Sequence, residues 1–221
     1  MNQISNKTEE DFVQRPEYAI NFGVYKKLLL RLLNHDPKMF ELEKGARIVD
    51  VGCGYGDLLK KLKARGYENL VGVEPDPLCR EDCVKQGLDV RLGTLNKTEL
   101  PNAFADVVIV NQVFHHIDNY DSAADELARI LKPKGLLCFL EPSPTLLRRM
   151  MDVLTFKTPL PRLLKPVKTR YEVMKLEMET GLYPSFLNHQ SQFHSAINSR
   201  FSPIWLRHGW FFQFGKYIKK T

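Results

Sequence analysis

Residues 50–56, Asp-Val-Gly-Cys-Gly-Tyr-Gly, stand between an apolar run, Arg47-Ile48-Val49-Asp50-Val51, and an amphipathic stretch with Leu58, Leu59 and Leu62 on one side. A strand that stops in a glycine loop and restarts as a helix is a ligand-binding turn of α/β proteins. Glycine tolerates the sharp backbone and lets a ligand come close. The first N–H groups of the following helix point at the same place and favour a negative group. Glu74 closes the next apolar run, about twenty residues on, where a carboxylate is placed to hold ribose hydroxyls. Loop, helix and downstream acid together point to a nucleoside-bearing ligand.

The alternation continues beyond this unit. Strands are expected over 69–75, 88–93, 105–111 and 136–142, helices over 57–65, 77–86 and 121–131, and a turn at 132–135. Apolar strands separated by amphipathic helices imply a parallel sheet covered on both faces. A further helix is expected over 16–34, where Ile20, Val24, Leu28 and Leu32 recur every four residues. Residues 143–200 break the rhythm with Pro159, Pro161 and Pro166, a helical stretch near 169–180, and an aromatic and histidine-rich run over 183–197. They read as a helical insertion or lid. Residues 202–220 read as two strands joined at His208-Gly209, a hairpin signal. The whole is one domain over 1–221: a helical cap (1–45), a cofactor-binding core (46–142), the helical lid (143–200) and a terminal hairpin (201–221).

The chain of 221 residues is 43% hydrophobic and 26% charged, enough for a sizeable core. No apolar run approaches the ~18 residues of a membrane span, and no secretory signal is visible. Cys53, Cys79, Cys83 and Cys138 form no CxxC pair and no metal pattern, so free thiols, a cytoplasmic setting and no metal are expected. The net charge of +6 is uneven: residues 142–221 carry 13 basic and 4 acidic side chains. That basic third suits an anionic partner such as a membrane surface or RNA, or is simply a solvated face.

Glycine spacing separates the cofactors. Dinucleotide folds carry G-x-G-x-x-G; this chain has G-x-G-x-G with an acid before it on the strand. The pattern resembles the first motif of class I S-adenosylmethionine-dependent methyltransferases with type 11/12-like domains. Residues 71–77 resemble that family's ribose-binding strand, 93–117 its adenine loop and fourth strand, and 127–142 its fifth helix-and-strand unit. The resemblance implies a doubly wound, mostly parallel seven-stranded, Rossmann-like sheet with a helical insertion before a C-terminal antiparallel hairpin. It implies S-adenosylmethionine as cofactor and S-adenosylhomocysteine as product. By the same resemblance, Gly52, Cys53, Gly54 and Gly56 pack against the cofactor. Asp50 organises the loop or the cofactor's amino group, Glu74 holds the ribose, and Asn111 contacts the methionine portion. Thr94 and Leu95 occupy the adenine loop, with Thr94 where the family often has an acid.

The segment after the fourth strand would face the methyl donor, and it holds His115 and His116. Methyl transfer needs alignment and sometimes removal of a proton, for which histidine is suited. A bracing role for these histidines is the competing reading. Tyr18, Tyr25, Tyr183, Phe186, His189 and Phe193 are candidates for an aromatic substrate pocket, against the alternative that each packs in the core. His189 and His194 are five residues apart and do not share a helical face. The leading expectation is methyl transfer to O, N or C of a small or lipid-like acceptor. An RNA or protein acceptor is the first alternative, and a non-catalytic cofactor-binding assembly or regulatory protein the second. The glycine spacing disfavours a nicotinamide oxidoreductase.

Overall fold

The structure is a computed structural model that describes residues 42–221. The helix expected over 16–34, with Tyr18 and Tyr25, lies outside the described residues. The central strand is β1 (Ile48–Val51), flanked by β2 (Leu70–Glu74) and β4 (Ala105–Asn111). With β3 (Val90–Leu92), β5 (Leu131–Pro142), β6 (Phe201–His208) and β7 (Phe212–Lys219), they form one seven-stranded sheet in the order β3-β2-β1-β4-β5-β7-β6. The first five strands pair in parallel, and β7 runs antiparallel to both neighbours. Ile48 and Val49 of β1 are fully buried, as are Val108 and Val110 of β4. Branched side chains on both faces suit a strand covered twice. The sheet grows in opposite directions from β1 and β4, so the crevice at their carboxyl ends is the natural ligand place.

Helices cover this sheet. In α1 (Asp57–Ala64), Leu58, Leu59 and Leu62 face inward and the lysines outward. In α2 (Pro77–Lys85), Pro77 starts the helix and the Asp76 side chain caps it, accepting the Leu78 N–H at 2.8 Å. In α3 (Tyr120–Ile130), Asn119 caps the Ser122 N–H, and Ala123, Ala124, Leu127 and Ile130 are buried.

Two local expectations shift. The turn expected at 132–135 lies within β5: Lys134 takes a left-handed φ of 61°, and the β4–β5 register slips between Ala105 and Val107. The strand expected over 88–93 contracts to Val90–Leu92, because Gly72 donates to Asp89 and Leu88 turns back to Cys83.

Between β5 and β6 run α4 (Leu146–Phe156), α5 (Leu160–Leu163), α6 (Lys165–Thr180), α7 (Leu182–Asn188) and α8 (Gln190–Arg200). Pro161 and Pro166 fall in the first turns of α5 and α6, where a missing N–H is harmless. This stretch divides into two roles. α8 is the crossover helix of the sheet: Phe193, Ala196 and Ile197 join the core, and Arg200 pairs with Asp121 and Asp125 of α3 at 2.5 and 2.8 Å. The helices α4, α6 and α7 gather at the carboxyl end of β4 and β5. The expected hairpin is present; its strands are joined through Gly209, whose N–H bonds the Phe212 carbonyl at 2.8 Å.

Candidate functional site

The glycine loop leaves β1 with Gly52, Gly54 and Gly56 all in the left-handed region, at φ 72°, 53° and 71°. Gly52 and Cys53 both donate to the Val73 carbonyl, which ties the loop to β2. A Cβ on Gly52 would stand 2.4 Å from Val113 Cγ2, and one on Gly56 would stand 2.4 Å from Leu88 Cδ1. These two glycines therefore admit neighbouring side chains of the protein. Cys53 turns its thiol into a small core with Leu59, Cys83 and Val90 rather than outward, and a hydrogen bond that its thiol donates to Cys83, together with burial, pushes its pKa up.

Glu74 sits at the end of β2 and is buried. One carboxylate oxygen accepts the Gly54 N–H at 2.7 Å and the other the Asp76 N–H at 3.1 Å. A carboxylate so placed has the acceptor chemistry that a ribose diol requires. Asp50 is buried on β1 beside this loop. Asn111 ends β4 with its side-chain oxygen buried and without a hydrogen-bond partner. A buried amide oxygen in that state is suited to a ligand N–H. Thr94 is held in a tight backbone bridge to Lys97, with N–H to carbonyl distances of 2.9 and 3.2 Å. The Leu95 side chain is fully buried in the main core, so only its backbone remains for an adenine. The orphan oxygen of Asn111, the left-handed loop and the Glu74 carboxylate fit S-adenosylmethionine as the group held here.

Beyond β4 the backbone twists at Gln112 (φ 63°), then makes a 3-10 turn over Phe114–His116. A strained residue at a sheet's ligand edge is typical of a functional turn. His115 and Glu141, the latter near the end of β5, are both buried. Glu141 Oε1 accepts the N–H groups of Val113 and Phe114 at 2.7 and 2.8 Å, and Oε2 meets His115 Nδ1 at 2.7 Å. Burial lowers His115 to about 3 and raises Glu141 to about 8, the latter against the pull of those N–H groups. Desolvation thus works against charge on either member of the pair. His116 is pushed well down by burial and by His115, whose ring centroid is 4.1 Å away.

The helices α4, α6 and α7 pack over the buried His115–Glu141 pair. His115 Nε2 lies 3.8 Å from Glu177 Oε2 on α6. Arg148 of α4, itself buried, donates to the Phe211 carbonyl and to the Tyr183 hydroxyl. Tyr183 also bonds Asp152, which pairs with Arg170. Tyr183 thus stands beside His115, with ring centroids 6.0 Å apart. Phe186 and Phe193 do not line a pocket. They are fully buried among Phe114, Tyr120 and Phe139 in edge-on and tilted contacts, and packing is their role. His189 is exposed at the α7–α8 turn and bonds the Ser185 carbonyl, away from the crevice. Glu141, Glu177 and Arg148 were not singled out from the sequence. For Glu141 one signal existed: an acid ending the apolar strand Leu136–Leu140.

Comparison with known proteins agrees with this geometry. A family model described as a methyltransferase domain matches residues 18–184. Over 131 residues the chain is 30% identical to the ubiquinone biosynthesis O-methyltransferase of Azorhizobium caulinodans, covering 55% of this chain and 51% of that one. Over 102 residues it is 32% identical to the cyclopropane-fatty-acyl-phospholipid synthase of Escherichia coli, covering 43% and 26%. The chain thus spans about half or less of the length of these curated relatives. A solved S-adenosylmethionine-dependent methyltransferase from Thermotoga maritima superposes with a TM-score of 0.59 at 19% identity, covering 92% of this chain and 98% of that one. Among the described residues no helix is long and apolar enough to cross a membrane. With its motif order, strand order and matched family model, the chain belongs to the class I S-adenosylmethionine-dependent methyltransferase family.

Proposed function

We propose that this protein transfers a methyl group from S-adenosylmethionine to O, N or C of a small or lipid-like acceptor bound between the end of β4 and the helices α4, α6 and α7. The observation that carries this reading is the buried pair His115–Glu141 on the strand ends beside the glycine loop. S-adenosylmethionine supplies an electrophilic methyl group when bound. The protein's part is to hold and align. Glu74 receives the ribose hydroxyls, Gly54 and Asn111 the amino-acid end, and Asp50 braces the loop. His115 and His116 are the candidates for receiving a proton from an acceptor hydroxyl or amine: burial keeps both uncharged, the form that can accept one, and lowers their basicity, so a bound acceptor must offset that cost. The covering helices exclude water, and alignment of this kind supplies several kcal/mol of the rate.

The lipid-like reading draws support from two features. The names of two relatives refer to ubiquinone and to a fatty-acyl phospholipid. In this chain Leu146, Leu163 and Trp210 are exposed near Arg149 and Arg162, a mixture suited to amphipathic molecules. The test is calorimetric titration with S-adenosylmethionine, S-adenosylhomocysteine and NADH, followed by acceptor screening for S-adenosylhomocysteine release. Binding of the first two alone, with turnover on an acceptor of this class, is the expected outcome. Turnover on RNA or protein instead would replace the acceptor. Binding without turnover would favour a non-catalytic role.

A further inference from the structure

The geometry points to a divalent transition-metal site formed by His115, His116 and Glu177. One ring nitrogen from each histidine and one Glu177 oxygen lie within 4.8 Å of one another. Bonds of about 2.0–2.1 Å to a first-row metal ion place neighbouring donors roughly 3 Å apart, so small side-chain rotations close the set. The histidines come from the turn after β4 and the carboxylate from α6, and the fold alone brings them together.

The surroundings are those of a metal ligand set. His115 turns Nδ1 to Glu141, which leaves Nε2 facing Glu177 at 3.8 Å. Glu141 is itself fixed by two backbone N–H groups. A carboxylate that orients a histidine from behind is the usual outer partner of a metal-bound imidazole. Two imidazoles and one carboxylate suit zinc, manganese, iron or cobalt. Calcium and magnesium prefer oxygen ligands. Three protein ligands leave coordination positions open for a small molecule.

The role of this ion rests on the methyltransferase reading; its binding does not. An acceptor hydroxyl bound in an open position would lose its proton to solvent more easily. Its oxygen then forms the new O–C bond as the C–S bond breaks, and the electron pair stays on sulfur in S-adenosylhomocysteine.

The test uses the full chain stripped of metal. Co2+ is titrated by its visible d–d absorption, and Mn2+ and Zn2+ by calorimetry. One equivalent at micromolar affinity is expected. His116→Asn and Glu177→Gln should each lose it, and Glu141→Gln should weaken it by about 10–100-fold. Thermal melts and S-adenosylmethionine titration on the same variants show whether each is folded, and either ligand variant alone suffices. Absence of saturable binding, or equal Co2+ binding by the parent and by a folded His116→Asn or Glu177→Gln variant, overturns the site; equal binding would place the ion elsewhere, for example on Cys53 and Cys83. Cobalt binding in a parent chain that ignores S-adenosylmethionine would leave the metal site standing and remove the methyltransferase reading.

Discussion

Gly54 has a φ of 53° and gives its N–H to Glu74. A β-branched residue is a genuine outlier in that region. Gly54→Val should therefore abolish S-adenosylmethionine binding by calorimetry in a protein that still melts cooperatively. Glu74→Ala should weaken binding by about 1–3 kcal/mol through lost hydrogen bonds to the ribose. Glu141→Ala is a different kind of change. It strands the N–H groups of Val113 and Phe114 and the His115 ring in a dry interior. The expected cost is at least about 2 kcal/mol in urea unfolding. The glycine loop and Glu74 were legible because their chemistry sits in contiguous residues with a known spacing. Glu177 and Arg148 were not, because each looks like an ordinary helical surface charge until α6 and α4 are laid over β4 and β5. Phe186 and Phe193 were misplaced for a related reason: aromatic composition does not distinguish a pocket wall from a core.

The order of strands and helices followed from periodicity and caps, with errors where tertiary contacts overrule local signals. The Lys132–Gly135 segment reads as a turn and falls within the span of β5, where it bulges out of the pairing: Ala105 pairs with Leu131 and Val107 with Leu136, so the four residues have no strand partner on β4. At the other end of β5, Phe139 lies across Gly215 of β7. A Cβ there would stand 2.5 Å from two ring carbons of Phe139. That ring is fixed by Phe193 and by stacking on Tyr217. Gly215→Ala should therefore destabilise by about 1–3 kcal/mol through overpacking, measured by chemical denaturation. An unchanged midpoint would mean that the Phe139 ring yields freely.

Across the whole molecule, β7 lies between β5 and β6, although β6 precedes it in the chain. Among the described residues β6 pairs with β7 alone, and its outer edge is broken by Pro203 and a register shift before Trp205, which discourages further pairing. An isolated two-stranded hairpin is marginal in water. The hairpin thus persists through its seam with β5 and through α8, whose Arg200 carbonyl also accepts the Lys220 N–H. Native-state hydrogen exchange should consequently show β6, β7 and α8 amides opening with one common free energy, below that of β1 and β4. Independent opening of α8 would contradict this. If the unit opens together, the roof over His115 is anchored to the least protected side of the sheet. Access to the pocket would then be governed by a breathing motion of that flank, set by how firmly one strand seam holds rather than by any dedicated hinge.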